Sequence, residues 1–229
     1  MAGKAGRRQQ AQSGGGPSGP RRSARGTQGP SKALLAIAAV VIAALVGLLI
    51  YLFGAPVPAN IGNKGPILAN LSNEAQGQTI DGIHCDVNPK LVYHIHVHLS
   101  MFVDGKPKLL PAGIGIVPPV SVQRDSLGYP HVFSGKCFYW MHTHSESGII
   151  HVESPVKRSF TLGAFFSEWG QSLSRQQLGP FHGNVVVYLN GKRTNINPSD
   201  IKMRELLVVT LEVGKPQVPP PGFTWPKGY

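Results

Sequence analysis

Six of the nine histidines in this 229-residue chain fall into two short runs whose spacing could gather imidazoles around a metal ion. The first run is His94, His96 and His98 in YHIHVHLSMFV; the second is His142, His144 and His151 in WMHTHSESGIIHVE. Along a β-strand alternate side chains share a face, so positions i, i+2 and i+4 project together. Neutral imidazole is the commonest metal ligand, and it suits zinc, copper, nickel and iron. A catalytic zinc site uses three protein ligands before water takes the fourth place, so either run alone supplies enough donors. Together the six could build one site or two adjacent sites. A shared cavity is the expected arrangement, because each strand keeps histidine on one face and apolar residues on the other.

Ligand chemistry narrows the metal. A Cu(I) transport site calls for thioether or thiolate sulfur, yet Met101 and Met141 have the opposite parity to their neighbouring histidines and should point into the core. The expected cofactor is therefore a divalent transition metal: Zn, Cu, Ni or Fe. Glu153 shares the parity of His151 and could serve as ligand, general base or partner fixing an imidazole tautomer. Glu146 is the second candidate base. His84, His131 and His182 stand outside the runs and are read as ordinary surface or core residues. A non-metal role for the cluster is pH sensing, since imidazole titrates between about pH 5 and 8.

The elements that must position these rings follow from periodicity. Leu91 to Val103 alternates, with apolar Leu91, Tyr93, Ile95, Val97, Leu99, Met101 and Val103 on one face and the first histidine run on the other. Asp104-Gly105 predicts a hairpin turn, with a return strand over Pro107 to Leu110 and an irregular Pro- and Gly-rich stretch to Pro119. Residues 120–136 read as loop with weak strands. Phe138 to His144 and Ile149 to Glu153 predict a second hairpin, turning on Ser145-Glu146-Ser147-Gly148. In that register His144 faces Ile149, His142 faces His151 and Trp140 faces Glu153; a slip of one residue would turn His151 away. Thr161 can cap a helix over about Leu162 to Leu173, whose Leu162, Phe165, Phe166 and Trp169 form an apolar stripe. Strands over Asn184–Leu189 and Leu206–Val213 close the domain. The expected fold is α+β: mainly antiparallel β hairpins with one packed helix, a β-grasp-like C-terminal half, and a single transmembrane helix in front.

That preceding helix is read from composition. Ala33 to Phe53 is a run of 21 residues without a charge, ~31 Å long as a helix and enough for a hydrocarbon core of ~30 Å. A cleaved signal peptide would have a shorter apolar region and a small-residue cleavage site, so 33–53 is read as a signal anchor. Residues 1–32 hold seven cations and no acid, which keeps this disordered basic tail in the cytoplasm and sends the rest across the membrane. The formal charge of +11 falls to a surplus of four once the tail is set aside. The basic run is thus a topology signal with attraction to membrane lipid, and no nucleic-acid partner is expected. Residues 54–83 read as a linker, 84–215 as an extracytoplasmic histidine-rich domain, and 216–229 as a proline-rich tail on which Phe223 and Trp225 could tuck against the domain. Cys85 and Cys137 lie in the exported part, where disulfides persist. A bridge between them is expected, with thiolate ligation as the alternative.

Three functions fit. The first is a membrane-anchored extracytoplasmic protein that binds a divalent transition metal for buffering, sensing or delivery. The second is a metal-dependent hydrolase or oxygenase with a three-histidine site and Glu153 or Glu146 as base. The third is an interaction domain without metal. No nucleophile elbow, phosphate-binding loop, H-E-x-x-H helix or dinucleotide fingerprint is present to indicate a substrate.

Overall fold

The computed structural model describes residues 41, 42, 44, 45, 65–124 and 130–229. The chain divides into two compact units, Met1–Ala55 and Pro56–Tyr229. In the first unit Val41, Ile42, Ala44 and Leu45 are helical and exposed; the remainder of the span expected at 33–53, and the tail at 1–32, lie outside the described residues. Among the described residues no helix is long and apolar enough to cross a membrane.

Among the described residues the second unit is mostly β-sheet with one α-helix. Its main sheet contains β1 (Tyr93–Val103), β2 (Lys106–Lys108), β3 (Met141–His142), β4 (Ile149–Ser154), β5 (Val185–Leu189), β6 (Lys192–Thr194) and β7 (Leu207–Val213). The order is β6-β5-β7-β1-β4-β3, with β2 returning beside the second half of β1. β7 runs parallel to β1, and every other pairing is antiparallel. The turns at Asp104-Gly105 and Asn190-Gly191 carry positive φ, as two-residue hairpins between right-twisted strands require.

Alternation divides the sheet into two chemically different faces. On one, Ile95, Val97, Leu99 and Met101 of β1 align with Val152 and Ile150 of β4 and with Leu207, Val209 and Leu211 of β7. All are buried. Helix α1 (Leu162–Glu168) covers this face with Leu162, Phe165 and Phe166, followed by Trp169 at its C-cap. Fully burying such side chains contributes ~1.5–3 kcal/mol each. Met101 and Met141 lie in this core as their parity requires.

Thr161 caps α1, accepting a hydrogen bond from the Ala164 amide at 3.2 Å. The helix is shorter than the predicted Leu162–Leu173. It stops at Glu168 because Gly170 adopts φ +69° and packs so tightly on the Asn73 backbone that no Cβ would fit there. Asn73 belongs to the segment read as a linker, of which residues 65–83 are described. Leu68, Ala75 and Ile83 of that segment are buried in the core.

The predicted strand over Phe138 to His144 is two strands. Cys137–Tyr139 pairs with Cys85–Asp86 and with Ile116–Val117, and β3 then joins the main sheet. The Cys85–Cys137 disulfide is formed, so neither sulfur is a free thiolate ligand.

Candidate metal centre

The second face of the sheet carries the histidines. Cα register sets His96 opposite His151 and His151 opposite His142, while His94 faces Glu153. The two runs are therefore not on separate ribbons: β1 and β4 are direct neighbours, and β3 adds the third strand. His151 is the hub. Its ring centroid lies 4.8 Å from His96 and from His144, 5.7 Å from His142 and 6.2 Å from His94.

Local packing fixes several rings. The Nδ1–H of His142 donates to the Tyr139 carbonyl at 3.0 Å, and that of His144 donates to the Val132 carbonyl at 2.7 Å. A carbonyl only accepts, so Nδ1 carries the proton in both rings and Nε2 keeps its lone pair. Such carbonyl contacts orient imidazole ligands in metal sites. His142 is fully buried because the 113–115 loop hydrogen-bonds Thr143 on both sides. Gly115 makes this possible, since its φ is +72° and a Cβ would overlap the Met141 carbonyl oxygen and press on His142.

Glu153 sits among these rings. Its Oε1 is 3.3 Å from His94 Nε2 and 3.7 Å from His151 Nδ1, and its Oε2 is 3.7 Å from His142 Nε2. Burial works against ionisation of Glu153, but His151, His142 and His94 beside it outweigh that and hold it down to about 2. Burial together with the charge of His144 lowers His142 to about 3, and burial lowers His144 to about 4. His96 is lowered by burial and by His151 and His94. At neutral pH His96, His142 and His144 are thus uncharged imidazoles near the Glu153 carboxylate.

Two triads of donors form within it. Ligand atoms of His94, His96 and His151 lie within 4.8 Å of one another, as do those of His142, His144 and Glu153. These groups could hold a metal ion. His96 Nδ1, His142 Nε2 and His151 Nδ1 are buried without a hydrogen-bond partner, a condition that costs ~1–3 kcal/mol per group unless something else binds them.

His98 stands apart from both triads. Its ring hydrogen-bonds the Ser147 backbone and stacks on Phe223 at 3.6 Å, and burial lowers it to about 4. Glu146 is exposed in the turn and joins neither triad. Other neighbours carry no sequence signal. His131 stacks on His144 at 4.9 Å, and Glu205 accepts from the His96 amide at 3.2 Å. Tyr229 meets the His96 ring at 4.6 Å. His84 packs on Trp140 beyond the cluster, and His182 is exposed.

The chain matches no protein-family model, no curated protein and no solved structure.

Proposed function

We propose that this chain is a membrane-anchored extracytoplasmic protein that binds a divalent transition metal through clustered histidines, for buffering, sensing or delivery. The observation that carries the reading is the set of buried imidazole nitrogens without a hydrogen-bond partner around Glu153. A packed interaction surface would satisfy those atoms with hydrogen bonds; a metal ion satisfies several at once. The donor set of imidazole nitrogen and carboxylate oxygen favours Zn, Cu, Ni or Fe over Cu(I) held by sulfur.

The anchor and the location rest on the uncharged run at 33–53, the cations before it and the disulfide after it. The sheet order, with β1 and β7 parallel at its centre and α1 between β4 and β5, we read as β-grasp-like, an analogy of fold that carries no function.

Elemental analysis of the full chain purified in detergent should find a transition metal in near-stoichiometric amount. Protein that is folded at neutral pH and takes up none of Zn²⁺, Cu²⁺, Ni²⁺ or Fe²⁺ would refute the reading. Protease added to intact cells should digest the region after residue 54 and spare the N-terminal tail; the reverse pattern would overturn the topology.

A further inference from the structure

Building on the metal-binding reading above, we propose that the cluster holds two divalent ions, with the Glu153 carboxylate bridging them. Each triad is close to the size of one coordination sphere. Donor atoms in each lie within 4.8 Å of one another, and ligands bound to one ion at ~2.2 Å stand at most about 4.4 Å apart. Six side chains exceed what one tetrahedral ion takes, and they fall into two sets of three.

Glu153 stands where the sets meet. Oε1 faces His94 and His151 of the first triad, and Oε2 faces His142 of the second. One oxygen toward each triad is what a bridging carboxylate requires. Hydrogen bonding by Glu153 accounts for only part of this placement, the 3.3 Å approach of Oε1 to His94 Nε2. At 3.7 Å neither His142 Nε2 nor His151 Nδ1 is within bonding reach, and both atoms are buried without a partner.

The ring locks agree. His142 and His144 are both held through Nδ1–H, leaving Nε2 on each as the donor of the second triad. Two-metal sites place their ions ~3.5–4 Å apart, and one bidentate carboxylate can span that gap. Glu205, with Oε1 at 3.6 Å from His96 Nδ1, supplies a second negative charge on the side of the first triad. A pair of dications is thus met by two carboxylates.

The test uses the full chain in detergent, stripped with chelator and reloaded with Zn²⁺ alone or Cu²⁺ alone. Elemental analysis should give two Zn²⁺ per chain. The Cu²⁺-loaded protein should show a half-field resonance and spin-coupled lines in its electron paramagnetic resonance spectrum. Glu153→Gln keeps the shape but offers a single oxygen, and should abolish the coupling. His94→Ala and His144→Ala, taken from different triads, should each reduce the content from two ions to one, with folding checked by circular dichroism. One ion per wild-type chain, or two without spin coupling, would overturn the bridge and leave the metal-binding reading standing. No ion at all would overturn both.

Discussion

His142 and His151 stand directly opposite each other on neighbouring strands, their rings 7° from parallel with centroids 5.7 Å apart. His96 extends the row on the next strand, across from His151. Three imidazoles thus cross three strands in one line, on the face away from the aliphatic core. Protonating such a row would set like charges side by side, and burial already favours the neutral form of His142 and His96. A neutral imidazole presents a lone pair, so the arrangement that resists protonation is also the one that offers ligands.

If these rings bind an ion, their removal should weaken it unequally. His142→Ala and His96→Ala each delete a donor and should lower affinity by more than the ~10–100-fold typical of losing an outer hydrogen-bond partner. His182→Ala, at an exposed site in another sheet, should leave affinity unchanged. Competition against a chromogenic zinc chelator measures all three. Equal behaviour would mean the bound metal is adventitious.

Acid should destabilise the metal-free domain in a defined window. His142 is held to about 3 and His98 and His144 to about 4, against an ordinary 6.5. Each ring takes up its proton more readily in the unfolded chain, so stability falls as pH drops from 6.5 toward those values. Glu153, lowered to about 2, adds a loss in the same direction as pH falls from 4.5. Glu74 opposes them: burial raises it to about 7, so the folded state gains as pH falls from 7 to 4.5. Below pH 4.5 Glu74 is protonated in both states and only the losses remain. Urea midpoints of chelator-treated protein should therefore fall steadily between about pH 4.5 and 3. A flat profile would show that the imidazoles are not buried.

Much of this site is legible from local periodicity. The alternation along β1 places His94, His96 and His98 on one face, and the turn at 145–148 sets His142 against His151. Both depend on the two-residue repeat, which contacts near in sequence enforce. What periodicity does not contain is which strands become neighbours. The β1–β4 pairing merges the two runs into a single surface, and it joins residues more than fifty positions apart. The same limit explains His131 and Glu205, which reach the cluster through distant loops, and His98, which Phe223 claims from the far end of the chain. The helix end follows the pattern too, because Gly170 meets Asn73 from a segment that composition marks as a linker.

Gly115→Ala tests how the second triad is kept buried. The added methyl would collide with the Met141 carbonyl and crowd His142, at a backbone angle that alanine adopts poorly. Stability should drop by ~1–3 kcal/mol, and metal exchange at the His142 side should quicken as the 113–115 loop lifts. Gly191→Ala, with nothing within 4 Å and a comparable positive φ, is the matched control for strain alone. Faster exchange in both variants would attribute the effect to strain and not to the cover over His142.

The C-terminal segment forms a second cover. Phe223 stacks on His98, Tyr229 meets His96 at 4.6 Å and His151 at 6.1 Å, and Trp225 contacts both Phe223 and Tyr229. These aromatics lie against rings of the histidine face of the sheet. A chain ended after Gly222 should remain folded, because the core on the α1 side includes no residue beyond Val213. Its bound metal should nonetheless pass to a chelator several-fold faster than in the full chain, with the increase greatest for the triad of His94, His96 and His151. Extraction at the unaltered rate would show that ions leave past His94, the exposed member of that triad, and that the aromatic segment packs on the rings without guarding them.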